Sequence, residues 1–147
     1  MNPALTRSKA RRYVLDANAF IGFLENRTGP ATRVRHLLEE AFRQELPLFL
    51  SAVNWGEVFY IAWRLHGPTR AYEVETRLRQ LPVTVVAADL DRATRAGALK
   101  QKHNLSYADA FAAELALERG AWLVTADPEF SKVGKALSLY PLPRHEK

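Results

Sequence analysis

The chain predicts an α/β domain built on a parallel sheet. Short apolar runs recur between segments of helical spacing: Tyr13-Val14-Leu15, Leu48-Phe49-Leu50, Val83-Thr84-Val85-Val86 and Trp122-Leu123-Val124. Runs of this kind, without polar alternation, mark strands covered on both faces. Strand and helix also alternate along the chain, the order from which parallel crossovers are built. The 147 residues are 48% apolar and 25% charged, which suffices for one core in one domain.

The basic stretch ending at Arg12 reads as an N-terminal arm, residues 1–12, and residues 13–147 as a single domain. The first strand stops at Asp16-Ala17-Asn18, where Phe20, Ile21, Phe23 and Leu24 begin a helix. Gly29-Pro30 interrupts, and Val34, Leu37, Leu38, Ala41 and Phe42 recur at helical spacing as far as Pro47. The second strand feeds a helix to Leu65 whose run Val58 to Trp63 is apolar nearly all round, so core on one side and a further cover on the other are expected, with the aromatic rings packed inward. Gly67-Pro68 ends it, and Ala71, Val74, Leu78 and Leu81 mark another helix before the third strand. Asp89 and Asp91 open a helix to about His103. Ser106-Tyr107-Ala108-Asp109 has the form of a capping box ahead of an alanine-rich helix that Gly120 stops. After the fourth strand, Pro128 suits a helix start, and Leu137 to Tyr140 a last strand.

With no cysteine, disulfide frameworks, thiolate metal sites and thiol nucleophiles are excluded. The longest apolar run is far short of the ~20 residues that span a bilayer, and Met1 to Arg12 lacks the apolar stretch of a signal peptide. A soluble cytoplasmic protein without a membrane partner is expected. Lys plus Arg number 21 against 16 Asp plus Glu, a net charge of +5, and favour a polyanionic partner such as RNA.

Ligands of parallel sheets bind at the carboxyl ends of the strands, which directs attention to Asp16, Asp127 and Asp109. Each has a plain alternative as a helix cap. Glu57 does not, because it lies inside a helix among Val53, Tyr60 and Ile61; its alternatives are a salt bridge to Arg64 or exposure at the edge of the face. Gathered at one sheet edge, the four carboxylates would repel one another unless a cation lay between them. An all-oxygen donor set, without Cys or a His motif, suits Mg²⁺ or Mn²⁺ over Zn²⁺. An acidic metal site within a basic protein points to hydrolysis of phosphodiester bonds. Glu129 reads as a partner of the helix dipole, and Glu114 as facing either the site or solvent.

Leu15-Asp16-Ala17-Asn18, Ser51-Ala52-Val53-Asn54-Trp55-Gly56-Glu57, Leu105-Ser106-Tyr107-Ala108-Asp109-Ala110 and Val124-Thr125-Ala126-Asp127-Pro128-Glu129-Phe130 resemble, in this order, the acidic motifs of PIN domains, most closely the VapC toxins of bacterial toxin–antitoxin pairs. The resemblance implies a three-layer α/β/α domain with a central, mostly parallel sheet, and a Mg²⁺- or Mn²⁺-dependent endoribonuclease. Asp16, Glu57, Asp109 and Asp127 match the family's acidic quartet, as catalytic residues and metal ligands, and Asn18 and Thr125 match polar positions that support the site. A cognate antitoxin and a homodimer are implied as partners. Two other readings remain open on the residues alone. One is a receiver-like signalling domain, which also sets acids at strand ends and for which Thr125 would serve. The other is a catalytically silent nucleic-acid-binding module whose acids are caps.

Overall fold

The structure, a computed structural model, describes residues 12–26 and 29–142. Most of the basic arm, including Arg7, Lys9 and Arg11, and the tail from Pro143 lie outside the described residues. The order is β1 (Tyr13–Leu15), α1 (Ala17–Leu24), α2 (Pro30–Phe42), β2 (Leu48–Ser51), α3 (Ala52–His66), α4 (Pro68–Leu78), β3 (Thr84–Val86), α5 (Leu90–His103), α6 (Tyr107–Arg119), β4 (Trp122–Thr125), a 3₁₀ segment (Pro128–Val133) and β5 (Leu139–Pro141). The expected strands and helices are all present. The helix that Pro128 opens is a short 3₁₀ segment, tighter than an α-helix.

The strands form one sheet in the order β3-β2-β1-β4-β5, and each neighbouring pair is parallel. This order excludes the receiver reading, since receivers run 2-1-3-4-5. Successive strand residues face opposite layers. Leu15, Leu48, Leu50 and Val124 pack with α1 to α4, while Val14 and Leu123 pack with α5, α6 and Phe130 of the 3₁₀ segment. The result is three layers, with a core on each side of the sheet. At one edge of the sheet Thr84 and Val85 of β3 are exposed.

Local chemistry sets the element ends that matter for the site. Asp16 caps α1 by accepting from the Ala19 amide, Ser51 caps α3 through the Val53 amide, and Ser106 caps α6 through the Asp109 amide. Gly67, at φ +84°, turns the chain between α3 and α4, a conformation that side-chain-bearing residues rarely adopt, and Pro68 then opens α4.

The apolar stretch of α3 departs from expectation. Val58 and Ala62 are buried, but Tyr60 and Trp63 are exposed. Asn54, Val58 and Ala62 already supply the inward stripe at four-residue spacing, so the aromatic rings fall outside it. Phe59, Trp63 and Tyr72 instead meet edge to face on the surface, with centroids 5.1 to 6.2 Å apart. Glu114 also departs, facing neither site nor solvent. It is 3% exposed and held by Arg92 and Arg95, with Glu118 as a second partner of Arg92. Among the described residues no helix is long and apolar enough to cross a membrane.

Candidate active site

Strand order reverses between β1 and β4: the chain leaves β1 towards β2 and β3 on one side, and β4 and β5 lie on the other. Parallel sheets open a crevice at such a point, outside the strands' carboxyl ends. Asp16 follows β1 and Asp127 follows β4, so both stand at this crevice. Glu57, in the second turn of α3, and Asp109, in the first turn of α6, approach it from helices that pack against each other.

Asp16 is 2% exposed, with both carboxylate oxygens engaged. Oδ1 accepts from the Ala19 amide at 2.7 Å and Oδ2 from the Thr125 hydroxyl at 2.5 Å. Thr125 Oγ1 in turn accepts from the Asp127 amide at 2.9 Å. One buried hydroxyl thus ties the end of β1 to the turn after β4. Asp127 Oδ1 accepts from the Glu129 amide at 2.9 Å, so Asp16 and Asp127 are caps in geometry as well as members of the cluster. Glu57 makes no salt bridge to Arg64, whose guanidinium lies over the Tyr60 ring; its Oε1 accepts from Asn54 Nδ2 at 2.9 Å. The same amide nitrogen donates to the Ala108 carbonyl at 3.2 Å and so joins α3 to the first turn of α6.

Electrostatics couple the acids, chiefly through Asp109. Burial pushes the Asp16 carboxyl up from 3.8 to about 7; the bonds from Thr125 and Ala19 oppose the rise, and the charges of Asp109 and Asp127 add to it. Burial also raises Glu57, against the bond from Asn54, and Asp109 repels it further. Asp109 is raised by burial, eased by Ser106, and repelled by Asp127 and Glu129. Glu129 therefore does more than face a helix end: it pairs with Lys132 and adds charge beside Asp109.

Four carboxylates, each of which repels at least one other, and a threonine form an oxygen-only donor set, which suits a hard divalent cation. Among the described residues no three acids stand close enough together, as their side chains lie, to cage an ion. The fit therefore rests on donor chemistry and on the repulsion that a cation would relieve. Asn18 is exposed in the first turn of α1. Two features of the structure escape a reading of the sequence. Asn54 lies within the quoted motif without a role, although a polar residue in register with Val58 and Ala62 was a usable signal. The Arg92–Glu114 pair joins residues 22 apart and had no local signal.

No curated protein sequence matches the chain. Solved structures share its fold. They include the VapBC2 complex from Rickettsia felis bound to a DNA fragment from its promoter, at 14% identity and a TM-score of 0.68 over 90% of this chain and 99% of that one. VapBC-1 from nontypeable Haemophilus influenzae gives 21% identity and a TM-score of 0.65 over 88% and 97%. VapC20 of Mycobacterium tuberculosis, a toxin that cleaves the sarcin-ricin loop, gives 20% and 0.63 over 89% and 99%. The PIN domain family model matches residues 13–136, from the first strand to beyond Asp127, and the chain belongs to the PIN domain family.

Proposed function

We propose that the protein is a Mg²⁺- or Mn²⁺-dependent endoribonuclease, the toxin of a toxin–antitoxin pair. The observation that carries this reading is the approach of Asp16, Glu57, Asp109 and Asp127 to the β1/β4 crevice, where the charges of Asp109 and Asp127 raise the Asp16 carboxyl and that of Asp109 raises Glu57. The fold it shares with VapC20 supports RNA as substrate, and the fold it shares with VapBC complexes supports a cognate antitoxin. The exposed rings of Trp63, Tyr60 and Tyr72 suit burial against a protein, whether the antitoxin or a second copy in a homodimer. The site of action is the cytoplasm.

Asp16, Glu57, Asp109 and Asp127 would hold the ion, with Thr125 fixing the orientation of Asp16. When bound, the divalent ion would neutralise charge on the scissile phosphate and lower the pKa of water. The chain's own contribution is positioning and proton transfer. Asp16 is an anchor, since both its oxygens are bonded and its burial excludes water. Half-buried Glu57 and Asp109, both raised from their ordinary values by burial, are the acids placed to take a proton from the attacking water. The net charge of +5 draws the polyanion to this acidic crevice.

The test incubates purified, antitoxin-free protein with a folded RNA carrying single-stranded loops in Mg²⁺, Mn²⁺ or EDTA, beside Asp109→Asn. Cleavage that needs both metal and Asp109 is the expected result. RNA bound equally under every condition and never cut would favour the silent binding module.

A further inference from the structure

Asn54 is in the first turn of α3, 1% exposed, on the same stripe as Val58 and Ala62. Packing alone would favour an apolar residue there. Both of its bonds use Nδ2, one to Glu57 Oε1 and one to the Ala108 carbonyl. An ionised carboxylate and a backbone carbonyl can only accept, so the amide cannot be reversed without setting oxygen against oxygen. Its Oδ1 is consequently buried and accepts no hydrogen bond among the described residues. An uncompensated buried oxygen is a cost that a packing role does not explain.

What the amide gains is a link between two candidate acids. Glu57 lies one turn after Asn54 on its own helix, and Ala108 immediately precedes Asp109. Glu57 and Asp109 repel each other, and without a tether Glu57 is free to swing from α6. We propose that Asn54 is a positioning residue that holds the Glu57 carboxylate against the first turn of α6, fixing its separation from Asp109 in readiness for a divalent ion. This rests on the metal-dependent reading above. Groups that orient metal ligands from behind characteristically contribute 10- to 100-fold to affinity or activity.

The test measures Mn²⁺ binding to the full chain by calorimetry, alongside RNA cleavage, for wild type, Asn54→Leu, Asn54→Ser and Glu57→Gln. Asn54→Leu keeps the shape and removes both donors and the unpaired oxygen. It is expected to melt no lower than wild type, to bind Mn²⁺ roughly tenfold or more weaker, and to lose kcat with KM for RNA little changed. Asn54→Ser, too short to bridge both acceptors, is expected to lose the same affinity, and decides the matter if Asn54→Leu does not fold. Wild-type Mn²⁺ affinity in a folded Asn54 variant would overturn the role of Asn54 while leaving the metal reading intact. Absence of Mn²⁺ binding by wild type would overturn both.

Discussion

Replacing Asp16 by Asn should stabilise the metal-free protein, and more so at higher pH. The folded state holds the Asp16 proton more tightly than the unfolded chain, about 7 against 3.8. Stability therefore falls as pH rises through that window and levels off above it. At 1.36 kcal/mol per unit, the full effect is about 4 kcal/mol, of which about 2.5 kcal/mol falls between pH 5 and pH 8. Asn retains the cap on the Ala19 amide. Its NH₂ can donate to Thr125 Oγ1, leaving the threonine hydrogen to find another acceptor at a cost of about 1 kcal/mol. At pH 5, where folded wild type is protonated at Asp16, the two proteins should melt within a few degrees of each other. At pH 8 the variant should gain on wild type by about 5–10 °C relative to that difference, for a domain of this size. Thermal melts in EDTA at the two pH values measure the gap. Saturating Mn²⁺ at pH 8 should then raise the wild-type midpoint and leave the variant nearly unmoved. A gap identical at pH 5 and pH 8 would mean that Asp16 titrates as an ordinary surface cap, and the argument from burial would be wrong.

Thr125→Val removes the donor to Asp16 and the acceptor for the Asp127 amide together; RNA cleavage should fall at least tenfold, with about 1–3 kcal/mol lost in urea unfolding. Glu114→Ala leaves buried Arg92 with Glu118 alone and should cost about 3 kcal/mol by the same assay. Phe130→Ala opens a void beneath the turn that carries Asp127, and chemical denaturation should show a loss of about 3–5 kcal/mol. Gly67→Ala meets no neighbouring atom but must hold φ +84° with ψ 172°, a region essentially confined to glycine, so a loss of about 1–3 kcal/mol is expected from strain alone, visible as a lower melting midpoint.

The elements were legible because each is marked locally: Gly29-Pro30 and Gly67-Pro68 separate helices, Ser106 and Gly120 bracket one, and the strands stand out as short apolar runs. The strand order was not, since pairing of β1 with β4 joins residues more than a hundred positions apart. Asp16 and Asp127 double as caps in the structure, so cap and site were never true alternatives for them, whereas Ser106 caps α6 and Asp109 stands in its first turn. Glu57 was singled out as a charge on an apolar helix face. That face is half-exposed at Ile61 and open at Tyr60, and the buried stripe runs instead through Asn54, the residue whose role passed unread. Ring-bearing residues usually pack inward, yet α3 has more apolar surface than one core can use, and sequence periodicity does not say which part is left over.

The hydroxyl of Thr125 that clasps Asp16 has a bearing on synthesis as well as on chemistry. Translation delivers residues from the N-terminus, and β1, at the middle of the sheet, must wait for β4 to close its second edge. A nascent chain that has emerged through residue 120 already carries Asp16, Glu57 and Asp109, but it lacks the strand, the threonine and the last acid that assemble them. A chain that stops short of β4 therefore lacks the proposed site, and a ribosome making this proposed nuclease meets no active product until β4 and Asp127 have been translated.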